Sequence, residues 1–187
     1  MTDLGAVIQG RPADDRVNQE PEARMLLAFL QVQRDAVLKT VAGLAEEYWQ
    51  RPVVPSGWTV AGMLAHVAGV EYHWFHQVTA GIVEEPAGGA GDREPYDPFA
   101  AFACVSPSAE IIAGYRAVCR GSDEILAVTP LSARPLRPEA HEDAGYAAQV
   151  TDVRFVVLHV IEELAAHSGH LEIARELLDG QTRLSGR

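Results

Sequence analysis

The chain has 187 residues, of which 48% are hydrophobic and 22% charged, a composition typical of a single globular domain. Its 26 acidic residues outnumber 15 basic residues and give a formal charge of −11, which would repel a phosphate backbone or an anionic bilayer. Composition and charge therefore argue against nucleic acid and membranes as partners.

Residues 1–20 are polar and show no sustained apolar period, so we expect an amino-terminal tail followed by one domain over residues 21–187. The start lacks the basic and apolar regions of a signal peptide, and no apolar run approaches the roughly 20 residues that span a bilayer. The two cysteines, Cys104 and Cys119, match no metal or disulfide spacing. We therefore expect a reduced, cytoplasmic protein in which neither cysteine is a nucleophile.

Two helices are predicted in the first part of the domain. From Glu22 to Tyr48, apolar side chains recur at spacings of three, four and seven, which indicates one face of a first helix. The segment RPVVPSGW ends that helix, and Ser56 or Thr59 can cap a second one, which is expected to run to about Ala80. The second helix carries a wide apolar stripe formed by Val60, Met63, Leu64, Val67, Val70, Trp74 and Val78.

A long connection rich in glycine and proline follows over residues 84–107. It contains Tyr96, Phe99 and Phe102, so it is expected either to form a lid over a pocket or to be a crossover whose aromatic side chains cap the core. Ser106 or Ser108 can then cap a third helix.

The third and fourth helices complete the domain. The third keeps a helical period to Val128 despite its glycines, and a kink or a close helix contact is expected near Gly121. After a second Pro-rich link, the fourth helix is predicted from about Thr151 to Leu178, with Gly180 as its stop. Because no segment alternates at period two, we predict an all-α protein, a four-helix bundle with long crossover connections.

The fourth helix concentrates ionisable side chains in the stretch HVIEELAAHSGH. Glu163 and His167 lie four residues apart and project from the same side, with His159 a turn before and His170 about a turn after. A divalent metal bound between helices needs such a pair and a ligand from a facing helix, for which His66 in the stripe of the second helix is the candidate. Three protein ligands leave positions for water or substrate.

Simpler interpretations remain open at this point. A lone histidine on an apolar face is commonly a hydrogen-bonded core residue, and a Glu and His four apart are commonly a solvated helix surface. His73, His76 and His141 are interpreted as surface or rim residues. Arg154, Glu162 and Arg175 could bind a carboxylate or position the fourth helix, or could form ordinary surface pairs, and none of them is interpreted as catalytic.

Two segments, VVPSGWTVAGMLAHVAGVEYHWF and RFVVLHVIEELAAHSGHLEIARELLDG, resemble the DinB-like superfamily. Within it they are most similar to an actinobacterial group, described as a domain of unknown function, that is related to mycothiol-dependent maleylpyruvate isomerase. The resemblance covers the second and fourth helices closely and the tail and long loops hardly at all. It implies a four-helix bundle with up-down-down-up connectivity, dimeric in many members.

The resemblance also implies a metal site. Carried over by position, the ligands are His66, Glu163 and His167. Many members have histidine where this chain has Glu163, whereas the mycothiol-dependent isomerase is similar in using glutamate there. His170 falls where many relatives have glutamine, so we expect it to orient a ligand or the substrate from outside the ligand set.

Relatives of known activity are metal-dependent transferases or isomerases that use a low-molecular-weight thiol, which is mycothiol in actinobacteria. The resemblance therefore implies a divalent ion, with zinc favoured and nickel as an alternative, that activates the thiol for attack on a small electrophile. Two alternatives stay open. The protein could be a metal-dependent hydrolase that uses bound water, or a non-catalytic metal-binding bundle with His170 as a fourth ligand.

Overall fold

The computed structural model describes residues 17–83, 102, 104–140 and 144–182. No strand occurs among them, which confirms the prediction of an all-α protein. The described chain contains six α-helices: α1 (Pro21–Val41), α2 (Glu46–Trp49), α3 (Val60–Glu71), α4 (Ser108–Val128), α5 (Ala144–Ala147) and α6 (Val153–Asp179). A π-helical segment, Tyr72–Thr79, continues α3, and a 3-10 turn, Pro138–Ala140, precedes α5.

Helices α1 and α6 pack along each other. Near their starts, Arg154 forms an ion pair with Glu22 at 3.1 Å. Towards their ends, the Thr40 hydroxyl donates a hydrogen bond to the Glu172 carboxylate at 2.7 Å. Since contacts follow the same order along both helices, α1 and α6 run parallel where they meet.

Helix α3 packs against both α6 and α4. His66 meets His167, and Trp74, eight residues later in the chain, meets His159, so α3 and α6 run in opposite directions. The antiparallel packing of α3 and α6 brings His66, in the predicted second helix, next to the ionisable stretch of the predicted fourth helix.

The core is built from the apolar stripes that the sequence predicted. Val37, Val67, Ile125 and Leu164 are at most 1% exposed. Fully burying one such side chain stabilises the fold by about 1.5–3 kcal/mol before entropy costs are counted. The core therefore lies between the four long helices.

The predicted first helix ends earlier than expected. Helix α1 stops at Val41, and Gly43 has a φ of +70°, in the left-handed region that glycine adopts without a steric penalty. The apolar Leu44 and Tyr48 therefore belong to the turn and to α2, and not to the first helix. The indole N–H of the buried Trp49 donates to the Leu44 carbonyl at 3.2 Å and holds this turn.

The predicted caps are correct in part. Thr59 caps α3 by accepting a hydrogen bond from the Gly62 N–H at 3.1 Å. The prediction that Ser106 or Ser108 caps α4 is wrong, since neither side chain does so. Ser108 is the first residue of α4 and donates instead to the Glu46 carboxylate. At the carboxyl end of α6, Gly180 is left-handed, with a φ of +74°, as predicted for the stop of the fourth helix.

Three predictions lie partly or wholly outside the described residues: the tail over residues 1–20, of which 17–20 are described, most of the long connection, and His141. At the described end of the tail, the Asn18 amide donates to the Leu126 and Thr129 carbonyls at 2.7 and 2.9 Å. In the part of the chain that the structure describes, no helix has both the length and the apolar character needed to cross a bilayer.

Candidate metal centre

Three side chains from two helices converge at the contact between α3 and α6. His66, Glu163 and His167 each offer one nitrogen or oxygen, and these donor atoms all lie within 4.8 Å of one another. Among the described residues they form the one cluster of histidine, cysteine and acidic side chains close enough to share an ion. The structure thus brings together the three residues predicted as ligands.

The distances between the donor atoms suit a shared divalent ion. The Nε2 atoms of His66 and His167 are 3.2 Å apart, and His167 Nε2 lies 3.2 Å from Glu163 Oε2. Two ligands at about 2.05 Å from a tetrahedral zinc ion are separated by about 3.3 Å. The residues present therefore fit a metal ion with little rearrangement.

The electrostatics favour the metal-binding forms of two of these side chains. Burial lowers the pKa of His66, and the neighbouring His167 lowers it further. The hydrogen bond with His167 lowers the pKa of Glu163, against the opposing effect of burial. At neutral pH His66 is then a neutral imidazole and Glu163 a carboxylate, the states in which these groups bind metal.

Two further histidines contact the cluster from outside. His170 Nδ1 lies 3.3 Å from His167 Nδ1, on the side of the ring away from the three donor atoms. His159 Nε2 lies 3.7 Å from Glu163 Oε1, and its Nδ1 is 2.7 Å from the Tyr146 hydroxyl. Sequence reasoning missed Tyr146, because α5 lies beyond a Pro-rich link and no motif connects it to α6.

A cleft with a volume of about 480 Å³ opens beside the cluster. Apolar and aromatic side chains form most of its lining, which consists of Ser56, Gly57, Trp58, Met63, Phe102, His167 and His170. A small molecule in this cleft would contact His167 directly. Among the described residues, the arrangement is a cluster of side chains able to bind a metal, at the edge of an apolar recess.

A second cluster of polar side chains lies buried beside α3. The fully buried Glu71 accepts hydrogen bonds from Arg34 at 2.5 and 3.2 Å, and the Cys119 thiol lies 3.5 Å from its Oε2. Burial, and then the Glu71 charge, raise the pKa of Cys119 to about 12. This thiol is therefore protonated at neutral pH. Sequence reasoning did not find this group, since Glu71 carries no motif.

The interpretation of His76 as a surface or rim residue is wrong. Its side chain is buried against α4, with Nε2 3.3 Å from the Val118 carbonyl and 3.4 Å from the Ser122 hydroxyl. A Cβ on Gly121 would lie 2.5 Å from the His76 ring, so the close helix contact expected near Gly121 is present. Burial lowers the pKa of His76.

The fold and the site define an all-helical protein in which facing helices present a His, Glu, His cluster able to hold one divalent ion beside an apolar cleft. The sequence matches the family model described as Mycothiol-S-transferase over residues 25–180, and the chain belongs to this family. This confirms the relationship to DinB-like, mycothiol-linked proteins that its two helical segments indicated. A comparison with curated proteins found no match.

Proposed function

We propose that the protein is a divalent-metal-dependent thiol S-transferase, which joins a low-molecular-weight thiol, mycothiol, to a small electrophile. One observation carries the proposal: in a chain that belongs to the mycothiol S-transferase family, His66, Glu163 and His167 are spaced as metal ligands beside an open cleft. Three ligands leave coordination positions for a substrate, as catalytic sites require.

A divalent ion bound by these residues would favour the thiolate form of the thiol at neutral pH and so supply the nucleophile. The sulfur electron pair forms the new C–S bond, the leaving group departs with its bonding pair, and the thiol proton passes to water. His66 and His167 contribute no net charge as neutral ligands, and Glu163 contributes one negative charge. The buried Cys119 cannot replace the external thiol, because its pKa is raised to about 12.

The proposed ion is zinc, with nickel as an alternative, because imidazole and carboxylate ligands suit both ions. His170, in contact with the far nitrogen of His167, is proposed to hold that ring in its metal-binding orientation. We prefer this orienting role to that of a fourth ligand because the exposed His170 side chain lies outside the group of three donor atoms.

We also propose the finer architecture that the resemblance implies. The parallel contacts of α1 with α6 and the antiparallel contacts of α3 with α6 support an up-down-down-up four-helix bundle. Residues 21–187 are proposed to form this single domain. A homodimer and a cytoplasmic location, where a reduced thiol cosubstrate is available, complete the proposal.

The test is thiol-dependent turnover by the zinc-loaded protein. Wild type should accelerate the reaction of mycothiol with 1-chloro-2,4-dinitrobenzene, while His167→Ala should lose at least about 100-fold of this rate. The control is His73→Ala, since His73 is a half-buried histidine outside the cluster and its loss should change the rate less than about twofold. Equal rates for wild type and His167→Ala, or ester hydrolysis that needs no thiol, would contradict the proposal.

A further inference from the structure

The cleft beside the donor cluster has two aromatic side chains close to the histidines. The Phe102 ring stacks on the His66 ring, with centroids 4.8 Å apart and an angle of 28° between the planes. The centroids of the Trp58 and His170 rings are 6.4 Å apart. Met63, also in the lining, is buried. A molecule in the cleft therefore meets apolar surface and aromatic rings next to the metal ligands.

The position of Phe102 depends on a glycine in α3. The Phe102 backbone lies so close to Gly62 that a Cβ at this position would collide with the Phe102 carbonyl. The glycine thus allows residue 102 to approach α3 closely, one turn before His66. The aromatic side chain is placed over the His66 ring by backbone packing and not only by its own rotamer.

The described lining of the cleft contains no lysine or arginine. The two arginines of α6 are used elsewhere: Arg154 pairs with Glu22 and Asp152, and Arg175 donates to the Thr40 and Ala42 carbonyls. An anionic group taken from water into this recess would find no cationic side chain among these residues, and the charge of a divalent ion at the cluster is offset in part by Glu163. The apolar lining therefore disfavours an anionic group relative to an uncharged ring.

The volume and polarity of the cleft indicate which of the two substrates, the thiol or the electrophile, it binds. A volume of about 480 Å³ lies within the range of small-molecule pockets. Mycothiol carries many sugar hydroxyl groups, each of which needs a hydrogen-bond partner when it is buried. The described lining offers the Ser56 hydroxyl and Nε2 of His170 for that purpose, because both ring nitrogens of His167 are already in contact with His66, Glu163 and His170. The cleft therefore suits the electrophile better than the body of the thiol.

On the basis of the proposed thiol transfer, we propose that the cleft binds an uncharged, planar aromatic electrophile, and that Trp58 and Phe102 determine this specificity. The reacting carbon is benzylic or aromatic and carries a leaving group. The thiol sulfur supplies the electron pair of the new C–S bond, the leaving group departs with the pair of the broken bond, and the thiol proton goes to water.

The first test measures binding without thiol, using unreactive probes and calorimetry on the zinc-loaded protein. The uncharged 4-nitrobenzyl alcohol should bind at least about tenfold more tightly than 4-nitrobenzenesulfonate, a weak metal ligand of similar size. Trp58→Ala should weaken binding of the alcohol about threefold to tenfold. Phe29→Ala is the matched control, because Phe29 is an exposed aromatic residue on α1, and it should leave the affinity unchanged. Equal affinity for both probes, or no effect of Trp58→Ala, would overturn the proposal.

The second test assigns the cleft to one substrate during turnover with 1-chloro-2,4-dinitrobenzene. Trp58→Ala should raise KM for the electrophile about threefold to tenfold and leave KM for mycothiol unchanged. A raised KM for mycothiol alone would assign the cleft to the thiol and overturn the proposal. Tight binding of the alcohol probe without thiol-dependent turnover would support the aromatic specificity of the cleft and contradict the transferase function, so the two failures are distinguishable.

Discussion

Glu163 lies between two histidines of its own helix. His167 contacts one carboxylate oxygen and His159 lies near the other, while the Tyr146 hydroxyl is 2.7 Å from His159 Nδ1. Groups that support ligands in this way fix the orientation in which a carboxylate meets a metal. The short helix α5 thereby acts on the centre through His159, although α5 supplies none of the proposed ligands.

Removal of the Tyr146 hydroxyl should weaken metal binding. In Tyr146→Phe the ring remains, but His159 loses its phenolic partner, so we expect zinc affinity to fall about tenfold with little change in unfolding temperature. Competition with a chromophoric chelator measures the affinity.

The matched control for this variant is Tyr48→Phe, which removes a phenolic hydroxyl from a half-buried tyrosine outside the site and should leave zinc affinity unchanged. An unchanged affinity in Tyr146→Phe would show that α5 does not support the centre.

Among the elements, the π-helical segment and α4 approach each other closely at a glycine. His76 packs directly on Gly121, where a Cβ would lie 2.5 Å from the ring. A π-helical turn is wider than an α-helical turn, and the Thr79 hydroxyl bonds to the Trp74 carbonyl five residues earlier at 2.8 Å. This segment begins at Tyr72, six residues after His66, so its packing helps to position the carboxyl end of α3.

Gly121→Ala should destabilise the protein by about 1–3 kcal/mol, because the added methyl group meets the buried His76 ring. Gly114→Ala on the same helix is the control: nothing lies within 4 Å of its Cβ, so the change should be neutral or stabilising by up to about 1 kcal/mol. Urea unfolding measures both. Equal stabilities for the two variants would show that the His76 contact is not tight.

The success of sequence reasoning differed between elements for physical reasons. Helical periodicity predicted α3 and α6 well, because their buried stripes are regular, and spacing alone placed Glu163 and His167 on one face. It overran α1, since Leu44 and Tyr48 continued the apolar period beyond the left-handed Gly43. The π-helical segment was not predicted, because a change of helix type leaves the apolar pattern almost intact.

At the site, a sequence pattern could identify residues that share a helix but could not show which distant elements meet. His66 was found because it lies in an apolar stripe and matches a family position, whereas Tyr146 reaches the site only through the packing of α5. The buried Glu71 was missed for the same reason, since its partner Arg34 lies 37 residues away in the chain.

At the scale of the whole molecule, the buried Arg34 joins three helices through a buried ion pair with Glu71 and a second ion pair with the exposed Asp123. Arg34 of α1 contacts Glu71 of α3 and, at 2.6 Å, Asp123 of α4. Burial acts to lower the pKa of Arg34, but the Glu71 carboxylate and hydrogen bonds to both acids raise it above its ordinary value. Such a pair adds little net stability but makes the loss of one partner costly, so it fixes how these helices sit together.

We expect this helical assembly to hold one divalent ion through His66, Glu163 and His167. The most direct test is metal analysis of the purified, untagged protein beside His66→Ala and Glu163→Gln, with His73→Ala as the control. We expect about one zinc or nickel ion per chain in wild type and control, and loss of nearly all metal in the two site variants. Unchanged metal content in the site variants, or a folded wild-type protein that cannot be loaded with metal, would contradict the account.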